Sequence, residues 1–255
     1  LGQHLVIEDA SGAVAACAPL YLKNHSYGEY VFDWGWADAY ERAGGRYYPK
    51  LQCSVPFTPA TGPRLLVNKD LPEDERREMG TALIAGMMQL AQNLNVSSLH
   101  VTFPTEEEWK RFGDAGYLKR IGQQFHWENK GFETFDDFLA ELSSRKRKNI
   151  KKERRAVEEA DLDIRALSGH EVTADQWDAF FQFYMDTTDK KWGQAYLRRD
   201  FFSLLGERMG DAVVLILVEK DGMPVAGALN LKGRDTLYGR NWGCIADYKF
   251  LHFEA

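Results

Sequence analysis

The chain repeats itself once, with the two copies about 209 residues apart. The first copy reads Leu5-Val-Ile-Glu-Asp-Ala-Ser-Gly12, then Ala13-Val-Ala-Ala-Cys-Ala-Pro-Leu-Tyr-Leu-Lys23, then Tyr30-Val-Phe-Asp-Trp-Gly35 followed by Ala37-Asp38. The second reads Leu217-Val-Glu-Lys-Asp-Gly222, then Met223-Pro-Val-Ala-Gly-Ala-Leu-Asn-Leu-Lys232, then Tyr238-Gly-Arg-Asn-Trp-Gly243 followed by Ala246-Asp247. Each copy reads as a strand, a glycine turn, a small-residue strand ending in Lys, and a third strand ending in Trp-Gly. A single repetition at this distance predicts two copies of one domain, because a solenoid repeats every ~20–50 residues. Two unrelated hairpins sharing a common turn type are the competing reading.

A length of 255 residues suits one large or two medium domains. The longest apolar runs, near residues 13–22 and 212–218, fall far short of the ~20 residues that span a bilayer. No charged-then-apolar amino terminus marks a signal peptide, and a start at Leu1 implies that the natural start lies upstream. Cys17, Cys53 and Cys244 are far apart and show no metal-type spacing, which fits a reducing cytoplasm. The net charge is −6, yet residues 145–155 hold eight basic residues and one acidic, leaving about −13 for the rest.

Periodicity predicts a hairpin over residues 4–23, a strand at 30–34, and a turn-rich aromatic stretch to 63. A short strand at 65–67, a helix from Pro72 through Leu90 and a strand at 98–103 come next. A helix begins at Thr105, and a strand covers 123–129. Then come a helix capped by Thr134, a basic helix over 143–159, a strand at 162–167 and helices at 173–188 and 197–209. A meander at 213–219, 225–232 and 236–242 leads to a helix start at 248–255.

The order of elements over 4–129 resembles the GNAT acyltransferase fold, and Trp109-x-x-Phe112-x-x-x-Gly116-Tyr117 resembles the end of its late helix. Two such units in tandem resemble the Fem family, which adds amino acids to peptidoglycan precursors from aminoacyl-tRNA. Leu142-Ser-Ser-Arg-Lys-Arg-Lys-Asn-Ile150, followed by Phe183-Tyr184-x-x-Thr187-x-x-Lys190, is similar to the Fem pattern. The nearest likeness is to bacterial FemAB-like N-acyltransferases, through Tyr27-Gly28, Phe32-Asp-Trp34, Tyr47-Tyr-Pro-Lys50, Pro56-Phe-Thr-Pro59, Leu237-Tyr-Gly239, Trp242-Gly243 and Leu251-His-Phe-Glu254. The expected fold is therefore α/β (α+β): a first GNAT-like unit over 1–130 and a second over 131–255, with mixed, mainly antiparallel sheets. Against residues 65–129, the second unit is expected to lack about 65 residues or more at its carboxyl end.

The resemblance implies a donor carbonyl polarised by strand N–H groups, donor phosphates on cations, and a neutral acceptor amine. It places the donor where the strands 225–232 and 236–242 splay apart. Tyr238, Arg240 and Trp242 alternate there and share a face at period two, beside Lys232. A packed aromatic face with a snorkelling Arg is the competing reading. The resemblance makes His252 the expected general base, with Tyr238 and Glu254 as catalytic partners and Lys190 or Lys191 at the rim, while a structural His-x-Glu is the competing reading. His-x-Glu also occurs in zinc deaminases, but their Pro-Cys-x-x-Cys partner is absent, so no metal is expected. In the first unit Asp33, Trp34, Tyr47, Tyr48 and Lys50 form a polar-aromatic cluster, taken as substrate-binding. Covering a sheet edge is its alternative role.

Arg145, Lys146, Lys148 and Lys152 are expected to bind phosphates, with a solvated helix face as the alternative. The chain shows no Ser/His/Asp order, Walker loop or Rossmann glycine pattern, which argues against hydrolase, NTPase and dehydrogenase chemistry. The sequence thus predicts a cytoplasmic N-acyltransferase without a resident cofactor. It moves an aminoacyl or acyl group from aminoacyl-tRNA or acyl-CoA to a small-molecule or peptide amine of a cell-envelope precursor. tRNA and a peripheral membrane contact are its expected partners, and DNA is not. The alternative is a non-catalytic module that recognises RNA or cell-wall precursor.

Overall fold

A computed structural model describes residues 1–190, 195–246 and 248–255. The chain separates into two compact units, Leu1–Trp127 and Glu128–Ala255, and each is α/β with mainly antiparallel sheets.

In the first unit β1 (Leu5–Glu8) and β2 (Val14–Ala18) form an antiparallel hairpin. Gly12 supplies the positive φ of its turn. Pro19, which has no N–H to give a ladder, ends β2 and redirects the chain into β3 (Leu20–Lys23). Beyond it lie α1 (Trp34–Arg42), β4 (Lys50–Cys53) and β5 (Leu66–Val67). The unit closes with α2 (Glu73–Asn93), β6 (Leu99–Val101) and α3 (Glu106–Asp114). One sheet has the order β1-β2-β5, and the other β3-β4-β6, in which β4 and β6 are parallel. Gly80, Leu83, Ile84 and Met87 recur at helical spacing and press α2 onto a core with Ala16, Ala18, Leu20, Leu51 and Phe112.

The second unit begins with α4 (Phe135–Ala140), which Thr134 caps as expected, in a capping box with Asp137. The basic helix α5 (Ser144–Glu158), β7 (Asp163–Ser168), α6 (Ala174–Lys190) and α7 (Arg199–Met209) follow. The meander is β8 (Val213–Lys220), β9 (Met223–Lys232) and β10 (Leu237–Cys244), and a 3-10 turn spans Leu251–Phe253. These strands make one antiparallel sheet of order β10-β9-β8-β7. Leu215, Leu217 and Leu229 face α6 and α7, while Val218, Val225 and Ala226 face Val157 of α5 and Leu251. Gly227 and Gly243 pair across the sheet and let α6 approach. A Cβ at Gly227 would lie 3.0 Å from the Phe180 ring, and one at Gly243 would overlap the Phe183 carbonyl.

The repeat holds for its first two strands only. β1–β2 and β8–β9 are matching hairpins with positive-φ glycines at Gly12 and Gly222. Residues 30–34, expected as a strand, are a bent loop running into α1. Tyr30 and Phe32 have φ of 56° and 49°, which no strand accepts. The partner of β3 is instead β4. Asp247, the last residue of the second copy, lies outside the described residues. Residues 123–129 also form no strand. Leu118 and Phe125 stand 93% and 89% exposed, because alternation alone supplies no neighbouring ladder.

Candidate functional site

In the first unit the polar cluster is built around Lys50. β4 turns this side chain inward between β3 and β6, and its exposure is 0%. Its ammonium donates to Ser26 Oγ at 2.8 Å, Glu29 Oε2 at 2.7 Å and Asp33 Oδ2 at 2.6 Å. The Tyr47 hydroxyl donates to Asp33 Oδ2 at 2.7 Å, and Tyr48 shares a 2.8 Å hydrogen bond with Ser26. Lys23 lies 3.1 Å from Glu29 Oε1. Glu29 and Asp33 both point inward, so the residues between them take up the positive φ angles and their aromatic side chains face out.

Burial alone would raise the Asp33 pKa, but the hydrogen bonds from Lys50 and Tyr47 outweigh it and hold the carboxyl at about 2. Burial, and then the bond to Asp33, pushes the Tyr47 phenol up. On β6, His100 is held down to about 4, first by burial and then by the Lys50 charge. Ligand atoms of Glu29, Asp33 and His100 come within 4.8 Å of one another, a grouping that can hold a metal ion. Glu29 and His100 escaped the sequence reading. The signal available was a pair of lysines, Lys23 closing the predicted hairpin and Lys50 in the stretch read as turn-rich, where β4 in fact pairs Lys50 with Lys23.

Asp33 and Lys50, expected as substrate-binding, are wholly buried, and Asp33 Oδ2 is taken by Lys50 and Tyr47, so neither is open to solvent in this arrangement. Tyr48 is half-buried and Trp34 is 52% exposed, so these two are the members open to a ligand. A second buried charge, Arg64, is structural. Its guanidinium donates to the carbonyls of Ala60, Gly62, Pro63 and Thr102, while Glu108 accepts from the backbone of Arg64 and Leu65 and caps α3.

In the second unit, β9 and β10 do not splay. They pair from Leu237↔Lys232 to Cys244↔Ala226, with one register shift at Arg240. That β-bulge inverts the expected alternation. Tyr238 and Asn241 pair with Leu231 and Leu229 on the helix side, whereas Trp242 pairs with Ala228 and shares the opposite face with Lys232. Arg240 turns to the helix side, its guanidinium 5.9 Å from the Tyr196 ring. His252 lies 6.5 Å from the Trp242 ring and is exposed. Glu254 is ion-paired with Arg154 of α5 at 3.5 Å. Burial raises its pKa, Arg154 opposes, and Glu158 and Glu153 add to the rise. The expected trio is thus divided, with Tyr238 on one face and His252 with Glu254 on the other. Lys190 pairs with Asp186, and Lys191 lies outside the described residues.

The α5 face carries charge of a different kind. Val157 seats the helix and Ile150 is half-buried, Arg147 caps α4 through the carbonyls of Leu139, Ala140 and Leu142, and Lys151 pairs with Asp136. Arg145, Lys148, Lys152 and Arg155 are exposed, lie within an arc of about 80°, and make no ion pair among the described residues. Lys146 is also exposed but points about 100° away from Arg145. The four-residue stripe runs about 15 Å along the side opposite the seat. Among the described residues no helix is long and apolar enough to cross a membrane. Cys17 and Cys53 are free thiols, and burial pushes the Cys53 thiol up to about 12.

Compared with known families, residues 1–255 match the FemAB-like family, described as peptidoglycan biosynthesis/recognition. No curated protein matches the chain.

Proposed function

Because the chain belongs to the FemAB-like family, we propose that it is an N-acyltransferase of peptidoglycan precursor synthesis, acting in the cytoplasm. The observation that carries this reading is the match over the whole chain. The donor is aminoacyl-tRNA or an acyl-CoA, and the acceptor is an amine of a precursor or peptide. In the reaction the neutral amine attacks the donor carbonyl carbon. A C–N bond forms, the ester or thioester bond breaks, and the amine proton leaves while the released oxygen or sulfur gains one. No resident cofactor takes part.

The α5 side of the second sheet is the face we assign to the donor. The stripe Arg145, Lys148, Lys152 and Arg155 suits its phosphates, and exposed His252 beside Trp242 is the base nearest that face. Tyr238 and Arg240, on the helix side, serve a separate contact with the acceptor.

A second reading is a recognition module without turnover. It is favoured by the β9–β10 pairing, which does not splay, and by the division of Tyr238 from His252 and Glu254. Incubating the protein with labelled aminoacyl-tRNA or acyl-CoA and a panel of amines separates the two. Amide product supports transfer, while ligand binding without product across the panel supports recognition.

A further inference from the structure

The buried cluster of the first unit has an imbalance of donors and acceptors. Lys50 spends all three ammonium hydrogens on Ser26, Glu29 and Asp33. Asp33 Oδ1 nevertheless has no hydrogen-bond partner, although its residue is 0% exposed. Glu29 Oε1 is also without one. Lys23 stands at ion-pair distance from that oxygen but is not aligned for a hydrogen bond, and it donates instead to the Tyr27 carbonyl at 2.6 Å. A buried carboxylate oxygen without a donor is costly, so these oxygens are acceptors in want of N–H or O–H groups.

Charge decides the class of ligand. Glu29 and Asp33 are balanced by Lys50 and Lys23, so a divalent metal taking the place of Lys23 would leave one uncompensated positive charge in a buried site. One ammonium replacing another leaves the balance unchanged. The two lysines differ in how firmly they are held. Lys50 is fully buried with three bonds, whereas the Lys23 side chain is 16% exposed and loosely paired. Lys23 is the exchangeable one. Three acceptors around an ammonium at about 2.8 Å stand about 4.6 Å apart at tetrahedral angles, a spacing that Glu29, Asp33 and His100 can supply.

We propose that Glu29, Asp33 and His100 form a recognition site for a ligand's primary ammonium group, with Lys23 as the built-in plug that this group displaces. The carboxylates hold the group charged, so it anchors the ligand and is not the reacting amine. The site stands whether the chain transfers or only recognises.

The test is titration of the full chain with n-butylammonium, followed by calorimetry and thermal unfolding, with tetramethylammonium as the control that lacks N–H. Wild type is expected to bind n-butylammonium saturably and weakly. Lys23→Ala and Lys23→Met should bind it about ten-fold more tightly and regain lost thermal stability as it is added. Adding Glu29→Gln to Lys23→Met should abolish the response. The proposal is overturned if both lysine variants respond to the two ammonium ions alike, if Glu29→Gln retains binding, or if only Zn²⁺ or Mn²⁺ gives a saturable shift. No saturable response in the folded wild type also overturns it, leaving water as the occupant.

Discussion

Lys50 Nζ lies 2.6 Å from Asp33 Oδ2, and neither side chain is exposed to solvent. The pair ties β4 to the loop that precedes α1, so the loop's conformation depends on a charge supplied by the sheet. Lys50→Met should leave Asp33 uncompensated, with only Lys23 still beside Glu29, and cost about 3–5 kcal/mol, read as a lower urea midpoint. Asp33→Asn should cost less, because the amide oxygen can still accept from Tyr47.

Acid should destabilise the first unit in two stages. His100 has a folded pKa of about 4, below its ordinary 6.5, so the unfolded chain binds the proton first and stability falls between those values. The loss is up to about 3 kcal/mol. Asp33, lowered from 3.8 to about 2, contributes stability above pH 3.8 that is lost as pH falls through 2. Unfolding midpoints measured against pH should lose the upper stage in His100→Gln and keep the lower one.

Gly243→Ala should destabilise the second unit by at least about 2 kcal/mol, since its Cβ would meet the backbone of α6 at Phe183. Gly227→Ala should cost less, because its nearest contacts, the Phe180 ring at 3.0 Å and the Ile216 carbonyl oxygen at 3.1 Å, are less close than the Phe183 backbone is to Gly243. Thermal unfolding of the two variants gives the order.

Reversing Arg145, Lys148, Lys152 and Arg155 to Glu should weaken binding of a phosphate-bearing donor and flatten its salt dependence. The slope of log K against log salt falls by about 0.7–0.9 for each phosphate that is no longer neutralised. Reversing Lys146 alone should have a smaller effect, because it lies off the stripe. Affinity unchanged in a folded quadruple variant would return α5 to a solvated face.

Periodicity and capping make most elements legible. Thr105 and Thr134 each begin a helix with a capping box, and the α2 core positions follow helical spacing. The loop at residues 30–34 is not legible, because Phe32-Asp-Trp34 looks extended until Glu29 and Asp33 are both drawn to Lys50, some 17–21 residues away in sequence. The separation of Tyr238 from Trp242 is hidden as well, because a one-residue bulge at Arg240 leaves no mark in a strand pattern. Of the site, the basic stripe is readable from composition. The buried cluster is readable only in part, because Ser26, Glu29 and His100 join it through pairing between strands distant in the chain.

The reading of this chain as a transferase rests on product formation. A mass measurement on an amine acceptor, after incubation with the protein and an aminoacyl-tRNA or acyl-CoA, decides it. The account requires the acceptor to gain the mass of the transferred acyl group less one hydrogen, with no acyl adduct on the protein. Donor and acceptor both bound, and the acceptor mass unchanged for every donor offered, would contradict it.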